Sequence, residues 1–217
     1  RIDLLGIRKE DLPGVWADLG MPSGYAYGKS FRTVKTCVGQ EFCRFGVGDS
    51  TNLGIKIESR FQGLESPAKI KMAVTGCPRN CAESLCKDVG LVAIDGGRWE
   101  IYIGGAAGAH IRKGDLLVTV DSAELAKKLT ARFLQYYREN ANWLERTYAF
   151  VPRIGLDRIR EVVVDDADGI AERLDAAVQA HADSYVDPWL EGASPAEPGQ
   201  FRTALPLTVL PSVGGAR

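Results

Sequence analysis

The sequence predicts an α+β fold, in which a mixed β-sheet is flanked by helices. Three observations support this fold class. Two short runs rich in β-forming residues are joined by Asp-Gly-Gly at positions 95–97, which is typical of a tight hairpin. Several other apolar runs have the length of strands. Longer segments in the second half of the chain place apolar residues at helical spacing, so we expect helices to cover the sheet.

The strands are predicted from short apolar runs that are bounded by glycine or polar residues. The predicted strands are 69–75, 89–94, 98–103, 116–120 and 161–164. Directly after the first of them, residues 77–87 are predicted to form a turn that enters a helix. Two of the cysteine residues would therefore lie at a strand-to-helix corner.

Four segments are predicted to be helical, because their apolar residues recur every three or four positions. The predicted helices are 10–19, 50–64, 121–140 and 169–185. Asp49 is the predicted N-cap of the second helix. Asp121 and Glu124 have the spacing of a capping box, so Asp121 is predicted to begin the third helix.

Changes in composition divide the chain into three parts. Residues 1–30 contain a short helix and a Gly/Pro-rich passage, and we expect them to be the end of a preceding unit. Residues 31–187 are expected to form the main domain. Residues 188–217 are a Pro/Gly/Ala-rich tail with little expected structure of its own. Because the sequence opens on Arg1 without an initiator methionine, we expect a fragment of a longer protein.

Charge and hydropathy argue against two classes of partner. The chain has 27 basic and 28 acidic residues, so its net charge gives no reason to expect a nucleic-acid or membrane partner. Its apolar runs fall far short of the roughly 20 residues that cross a bilayer. Five cysteines without a secretory signal argue against a disulfide scaffold and favour the reducing cytoplasm.

Four of the five cysteines form two close pairs, Cys37 with Cys43 and Cys77 with Cys81. Four thiolates suit a 4Fe-4S cluster or a tetrahedral zinc ion. The spacing favours the cluster over zinc, and buried thiols without a metal are a third interpretation. A helix that begins near Cys81 would direct its N-terminal amides toward the thiolates. Cys86 falls outside the pairs and is interpreted as a small buried side chain.

The segments around these cysteines resemble a known family. Thr-Cys-x5-Cys at 36–43, Thr-Gly-Cys-Pro-x-x-Cys at 75–81 and Lys-Asp-Val-Gly-Leu-Val at 87–92 resemble the cluster-binding half of sirohaem-dependent nitrite and sulfite reductases. Within that family, residues 32–39 and 71–83 most resemble the C-terminal part of the large subunits of bacterial NAD(P)H-dependent assimilatory nitrite reductases. The resemblance implies a fold like the nitrite/sulfite reductase 4Fe-4S domain.

The resemblance implies a 4Fe-4S and sirohaem-binding domain in residues 31–187, after the end of a ferredoxin-like half-domain in residues 1–30. In the family, the last of the four cysteines, which matches Cys81, bridges the cluster and the sirohaem iron. The implied activity is the six-electron reduction of nitrite to ammonia. FAD and NAD(P)H are implied only for an upstream part, so we expect this chain to be inactive alone. The implied cluster ligands are Cys37, Cys43, Cys77 and Cys81.

Basic residues are the candidates for binding nitrite and the carboxylates of sirohaem. Taken by themselves, Lys69 and Lys71 are typical of a solvated strand face, and Arg32 of a side chain that covers apolar surface. The resemblance instead implies a Lys-x-Lys pair and an arginine on the substrate face. Lys69, Lys71 and Arg32 are therefore the candidate catalytic residues. Arg79 and Arg112 are the candidates for binding sirohaem carboxylates.

Two alternative functions stay open at this point. A sulfite reductase component would use the same ligands and cofactors. A non-enzymatic zinc or electron-transfer module, held by the four paired cysteines, would give the basic residues no catalytic role. Larger family members place two related repeats around one sirohaem, whereas this sequence shows one, so a homodimer is expected. Nitrite is the expected substrate, and a small reductase subunit is considered as a further partner.

Overall fold

The structure is a computed structural model, and it describes residues 4–20 and 29–186. Residues 4–20 belong to one compact unit and residues 29–185 to another. The predicted tail, 188–217, lies outside the described residues. No helix within the described ranges is long and apolar enough to cross a bilayer.

The smaller unit contains one helix, α1 (Leu12–Leu19), in its described part. A single 3₁₀ turn at Lys9–Asp11 precedes the helix. Gly20 ends it in the left-handed region, with φ of 57°, which favours glycine because that residue has no Cβ. The helix predicted over 10–19 is therefore confirmed, with its first residues in the 3₁₀ turn.

The larger unit is built on a five-stranded mixed sheet and a separate two-stranded ribbon. Its strands are β1 (Phe31–Thr36), β2 (Ile70–Thr75), β3 (Val89–Ile94), β4 (Arg98–Ile103), β5 (Ala106–Ala107), β6 (Ile111–Arg112) and β7 (Asp115–Val120). The sheet order is β1-β2-β3-β4-β7, and β5 pairs with β6 in the ribbon. The first three strands are parallel, whereas β4 pairs antiparallel with β3 and β7. This mixed sheet, with the helices that flank it, confirms the predicted α+β fold class.

Helices cover one face of the sheet. The larger unit contains α2 (Gly39–Phe42), α3 (Ser50–Phe61), α4 (Ala123–Asn140), α5 (Thr147–Ile154), α6 (Leu156–Val163) and α7 (Ala171–Ser184). Helix α3 packs on β1 and β2, α4 packs on β4 and β7, and α7 packs on α4. Alternate residues of β2, including Ile70 and Met72, point into this core and are at most 1% exposed. Burial of these apolar side chains is the main favourable contribution to folding.

Charged side chains bind backbone groups of both outer strands of the sheet. At β1, the carboxylate of Glu58 accepts the backbone N–H of Val34 at 2.9 Å. At β7, Arg160 donates to the carbonyl oxygens of Leu116 and Leu117 at 2.6 and 3.0 Å. Backbone groups that would otherwise face solvent are therefore paired within the domain.

The predicted hairpin and the predicted start of α3 are confirmed, whereas the predicted start of α4 is not. Gly96 and Gly97 join β3 to β4 with φ of 79° and 75°, as the predicted hairpin requires. Asp49 caps α3 through the N–H of Asn52, which confirms that prediction. The prediction for α4 was wrong by one position, because Ser122 is its N-cap and accepts the N–H of Leu125.

Two predicted elements have a different structure. The segment predicted as a strand over 161–164 lies largely in α6, because its apolar residues continue a helical pattern. Ile159, Val162 and Val163 are each 0% exposed and share the face that contacts the core. The helix predicted within 77–87 is replaced by turns and a 3₁₀ turn at Ser84–Cys86.

Left-handed residues explain why no α-helix forms between β2 and β3. Asn80 and Glu83 have φ of 57° and 61°, and such values interrupt a right-handed helix. The side chain of Asn80 stabilises the turn by accepting the N–H of Leu85 at 3.2 Å. The helix dipole that was expected near Cys81 is therefore absent from this described connection.

Candidate functional site

Two loops carry the paired cysteines, and the parallel strands bring them together. The first loop follows β1 and contains Cys37, Cys43 and α2, whereas the second follows β2 and contains Cys77 and Cys81. Because β1 and β2 are parallel neighbours, both loops begin at the same end of the sheet, where the two strands have their C-termini. The N–H of Cys37 donates to the carbonyl of Val74 at 3.3 Å, so the pairing continues into the first loop.

Backbone hydrogen bonds join the two loops around Gly76. The amides of Val47 and Gly48 both donate to the Gly76 carbonyl, at 2.8 and 3.1 Å. A Cβ at position 76 would lie 2.8 Å from the Gly48 oxygen and 2.9 Å from the Gly39 Cα, both backbone atoms. The absence of a side chain at Gly76 therefore permits the close approach of the loops.

The thiol of Cys37 lies among hydrogen-bond donors. The amide of Gly76 donates to the Cys37 sulfur at 3.1 Å, and the Ser50 hydroxyl oxygen is 3.2 Å from it. Burial raises the pKa of the Cys37 thiol, but hydrogen bonds from Ser50 and from the amides of Gly76 and Gly39 outweigh burial and lower it. The lower pKa favours the thiolate, which is the form that binds metals.

The cysteines differ in exposure. Cys77 is buried and Cys81 is exposed, whereas Cys37, Cys43 and Cys86 are partly buried. Within residues 4–20 and 29–186, no three His, Cys, Asp or Glu side chains are gathered as a site for a metal ion. The donor set nevertheless fits a sulfur-bound metal group, because four thiols lie on two joined loops and one of them already accepts an amide N–H. The ligand assignment stays a prediction.

The structure places Arg32, Lys69 and Lys71 near one another, in β1 and at the start of β2. Lys71 and Thr33 are partners in the β1–β2 register, and Arg32 precedes Thr33 at an irregularity in that register. Burial lowers the pKa of Lys71, and the positive charges of Arg32, Lys69 and Arg146 lower it further. The three predicted residues therefore form one basic cluster on the sheet. Their catalytic role stays a prediction.

The two candidates for binding sirohaem carboxylates, Arg79 and Arg112, contact different parts of the domain. The Arg79 guanidinium stacks on the ring of Phe45, 3.8 Å from its centroid, and so links the two cysteine loops. Arg112 donates to the Gly104 carbonyl at 2.7 Å and pairs with Asp115 at 2.6 Å. Arg79 thus borders the cysteine loops, whereas the Arg112 side chain is already paired locally.

Sequence reasoning missed three residues that support the basic cluster. The carboxylate of Asp88 is 1% exposed and pairs with Arg146 at 2.7 Å. It also accepts the Thr147 hydroxyl at 2.6 Å and the Lys71 amide at 2.9 Å. Asp88 lies within a motif that the sequence already singled out, but Arg146 and Thr147 are far along the chain. No local pattern connects them to Asp88.

The mixed sheet and the two joined cysteine loops define the class of this protein as an α+β domain with four cysteines at one end of its parallel strands. The sequence profile described as "Nitrite and sulphite reductase 4Fe-4S domain" matches residues 27–170. The chain belongs to this family, which confirms the family resemblance predicted from the cysteine segments.

The curated relatives include proteins named nitrite reductase and a protein named sulfite reductase. The chain is 54% identical over 189 residues to the "Nitrite reductase [NAD(P)H]" of Bacillus subtilis (strain 168), which covers 87% of the chain and 23% of that protein. It is 38% identical over 164 residues to the "Sulfite reductase, assimilatory-type" of Nitratidesulfovibrio vulgaris, with 76% of the chain and 75% of that protein covered. The chain spans about a fifth of the length of the first nitrite reductases it matches.

A solved structure supports the fold. The NirA protein of Mycobacterium tuberculosis superposes with a TM-score of 0.62 at 18% identity, over 72% of this chain and 31% of that one. At this identity the likeness concerns the fold alone.

Proposed function

We propose that this chain is the 4Fe-4S and sirohaem-binding catalytic module of an assimilatory nitrite reductase, which reduces nitrite to ammonia with six electrons. The observation that carries the proposal is the joining of two cysteine loops in a chain that is 54% identical to a nitrite reductase. FAD, NAD(P)H and a small reductase subunit would belong to other parts of the enzyme. We place it in the reducing cytoplasm, and we expect this chain alone to be inactive.

In the proposed site, Cys37, Cys43, Cys77 and Cys81 hold the cluster. When bound, the cluster and sirohaem supply single-electron transfer and an iron position for nitrite, which side chains cannot provide. Cys81 is exposed whereas Cys77 is buried, and this exposure fits the proposed role of Cys81 as the ligand that would also contact sirohaem. The amide of Gly76 stabilises negative charge on the Cys37 sulfur.

The basic residues have two proposed roles. Arg32, Lys69 and Lys71 bind the nitrite anion and stabilise the negative charge that grows as its N–O bonds break. Arg79 binds a carboxylate of sirohaem from the edge of the cysteine loops, and Arg112 is the second candidate for such a contact. Half-buried lysines are well suited to the first role, because a partly dehydrated site strengthens their attraction for an anion.

Metal analysis tests the proposed cofactor. Anaerobically prepared chain is expected to contain about four irons and matching labile sulfide, because four cysteine thiolates are the usual ligands of a 4Fe-4S cluster. Iron, zinc and acid-labile sulfide are measured on the same sample. Stoichiometric zinc without sulfide would instead support a zinc module held by the four cysteines and overturn the proposal.

Sulfite reduction is the second candidate function. It is favoured by the 38% identity to an assimilatory-type sulfite reductase, three quarters of which this chain covers. Parallel turnover of nitrite and sulfite by the intact enzyme distinguishes the two. A higher kcat/KM for sulfite would replace nitrite as the substrate while leaving the cluster and sirohaem in place.

We further propose that the enzyme is a homodimer in which Lys69 and Lys71 serve the partner's sirohaem. A two-fold axis can imitate the relation between the two repeats of larger family members. Subunits with Cys81→Ser are mixed with subunits carrying Lys69→Ala and Lys71→Ala in the intact enzyme. Each variant is expected to be inactive alone and active in verified mixed dimers, as measured by nitrite turnover.

The same mixture shows whether the lysines act within one subunit. If the mixed dimers stay inactive, Lys69 and Lys71 act at the site of their own subunit. Full activity of the double-lysine variant alone would show that Lys69 and Lys71 have no role in turnover and belong to a solvated strand face. Both outcomes contradict sharing between subunits, whereas neither affects the iron and sulfide content.

A further inference from the structure

Ser50 places a buried hydroxyl beside the first cysteine loop. It is the first residue of α3 and is 0% exposed. Its hydroxyl oxygen lies 2.9 Å from the carbonyl oxygen of Cys37 and 3.2 Å from the sulfur of the same residue. The Ser50 hydrogen therefore has two acceptors within reach, and both belong to one of the proposed cluster ligands.

Two glycines leave room for the Ser50 hydroxyl. A Cβ at position 39 would lie 2.8 Å from its oxygen, and a Cβ at position 76 would lie 3.2 Å from it. Gly76 also donates its amide to the Cys37 sulfur at 3.1 Å. Backbone from both cysteine loops thus encloses the hydroxyl, and close packing holds it beside the sulfur.

The best acceptor for the Ser50 hydrogen differs between a free thiol and a metal-bound thiolate at Cys37. A hydroxyl carries one hydrogen, so it donates one strong hydrogen bond at a time. In the free thiol, the S–H of Cys37 can donate to Ser50 while Ser50 donates to the Cys37 carbonyl. A metal-bound sulfur has no hydrogen. Its lone pairs would then face those of the Ser50 oxygen at 3.2 Å, unless the Ser50 hydrogen lies between the two atoms.

Thr51 allows the Ser50 hydrogen to leave the carbonyl. The Thr51 hydroxyl donates to the same Cys37 carbonyl oxygen at 3.3 Å. If the Ser50 hydrogen turns to the sulfur, this carbonyl keeps a donor, so no buried acceptor is left unpaired. The first two residues of α3 therefore supply one hydroxyl for the carbonyl of Cys37 and one for its sulfur.

We infer that Ser50 turns its hydroxyl hydrogen from the Cys37 carbonyl to the Cys37 sulfur when that sulfur binds the cluster, and thereby makes the cluster easier to reduce. Reduction adds one electron, and part of the added negative charge lies on the sulfur ligands. A hydrogen bond to one of them therefore stabilises the reduced form more than the oxidised form. No proton leaves Ser50, which is a positioning residue that acts through Cys37. The inference rests on the proposed function, because it requires a cluster at Cys37.

The reduction potential of the cluster tests this inference. The full chain with Ser50→Ala is prepared anaerobically, and its cluster is titrated with dithionite while the EPR signal of the reduced form is recorded. We expect one-electron reduction to become about tenfold less favourable than in the parent, which lowers the midpoint potential by about 60 mV. Iron and labile sulfide are expected to stay at the parental level, because Ser50 is not itself a ligand.

Thr51→Val is the matched control. It removes the neighbouring hydroxyl, which binds the Cys37 carbonyl and not the Cys37 sulfur, so we expect the parental potential. Ser50→Thr keeps a hydroxyl at position 50 and is expected to return most of the parental potential. Together these variants separate a hydrogen bond to the sulfur from the general loss of a hydroxyl at the start of α3.

Several results would overturn the inference. A parental potential in Ser50→Ala means that the hydroxyl stays on the carbonyl, and an equal decrease in Thr51→Val means that the loop responds to any lost hydroxyl. If Ser50→Ala takes up no cluster, Ser50→Gly is titrated in its place. Loss of iron from both variants would make Ser50 necessary for assembly and not for the potential. A parent chain without iron and sulfide contradicts the proposed function and this inference together, whereas the other results leave the proposed function intact.

Discussion

Replacement of Cys77 by serine is expected to remove the metal centre almost completely, from about four irons per chain to near zero. Cys77 is buried directly after Gly76, where the two cysteine loops are joined. A serine hydroxyl is a much poorer ligand for iron than a thiolate, so the cluster would lose one of its four proposed ligands. Iron and labile sulfide in anaerobically prepared variant and parent measure the loss.

Cys86→Ala is the matched control. It removes another thiol from the same connection between β2 and β3, and we expect the parental iron content, because Cys86 lies outside the two cysteine pairs. Loss of iron in Cys86→Ala with retention in Cys77→Ser would require a different ligand set.

Gly90→Ala is expected to lower the free energy of unfolding by about 3 kcal/mol, near the upper end for an added group in a packed core. A Cβ at position 90 would lie 2.0 Å from the carbonyl oxygen of Ser84, which is a backbone atom in the connection that follows Cys81. The connection must move away from β3 to accommodate it. Urea denaturation measures the change, and iron content should decrease in parallel.

Gly108→Ala is the control for the general effect of replacing a glycine, because it does not create the contact with Ser84. A Cβ there meets no atom within 4 Å, and its φ is not positive. We expect a change within about 0.5 kcal/mol, as is usual for surface substitutions. Equal stability of Gly90→Ala and Gly108→Ala would show that the connection over β3 adapts without cost.

The parts of the fold that were predictable depend on local signals. The hairpin at 95–97 and the cap at Asp49 follow from the chemistry of a few adjacent residues. The run at 161–164 was misassigned because a short apolar run is compatible with a buried strand or a helix. The packing of α6 against α4, α5 and β7 decides between them. The strand β1 was not assigned because its outer face carries polar and basic residues.

The residue types of the candidate site could be predicted from the sequence, but the contacts that hold these residues together could not. The cysteine spacing indicated a metal group, but the turn through Asn80 and Glu83 depends on left-handed backbone that the sequence pattern did not reveal. Lys69 and Lys71 were identified as a pair on one face. Their connection to Arg146 passes through Asp88, and no sequence period relates positions so far apart.

The pairing of Glu58 with β1 and of Arg160 with β7 affects how copies of the domain behave at high concentration. A strand from another chain that approached either edge would have to displace a charged side chain from its backbone partner. Edge-to-edge growth, from which fibrous aggregates begin, is therefore disfavoured. The domain therefore leaves Cys81 exposed at one end of its sheet, while one charged side chain bound to each outer strand opposes the addition of a further strand.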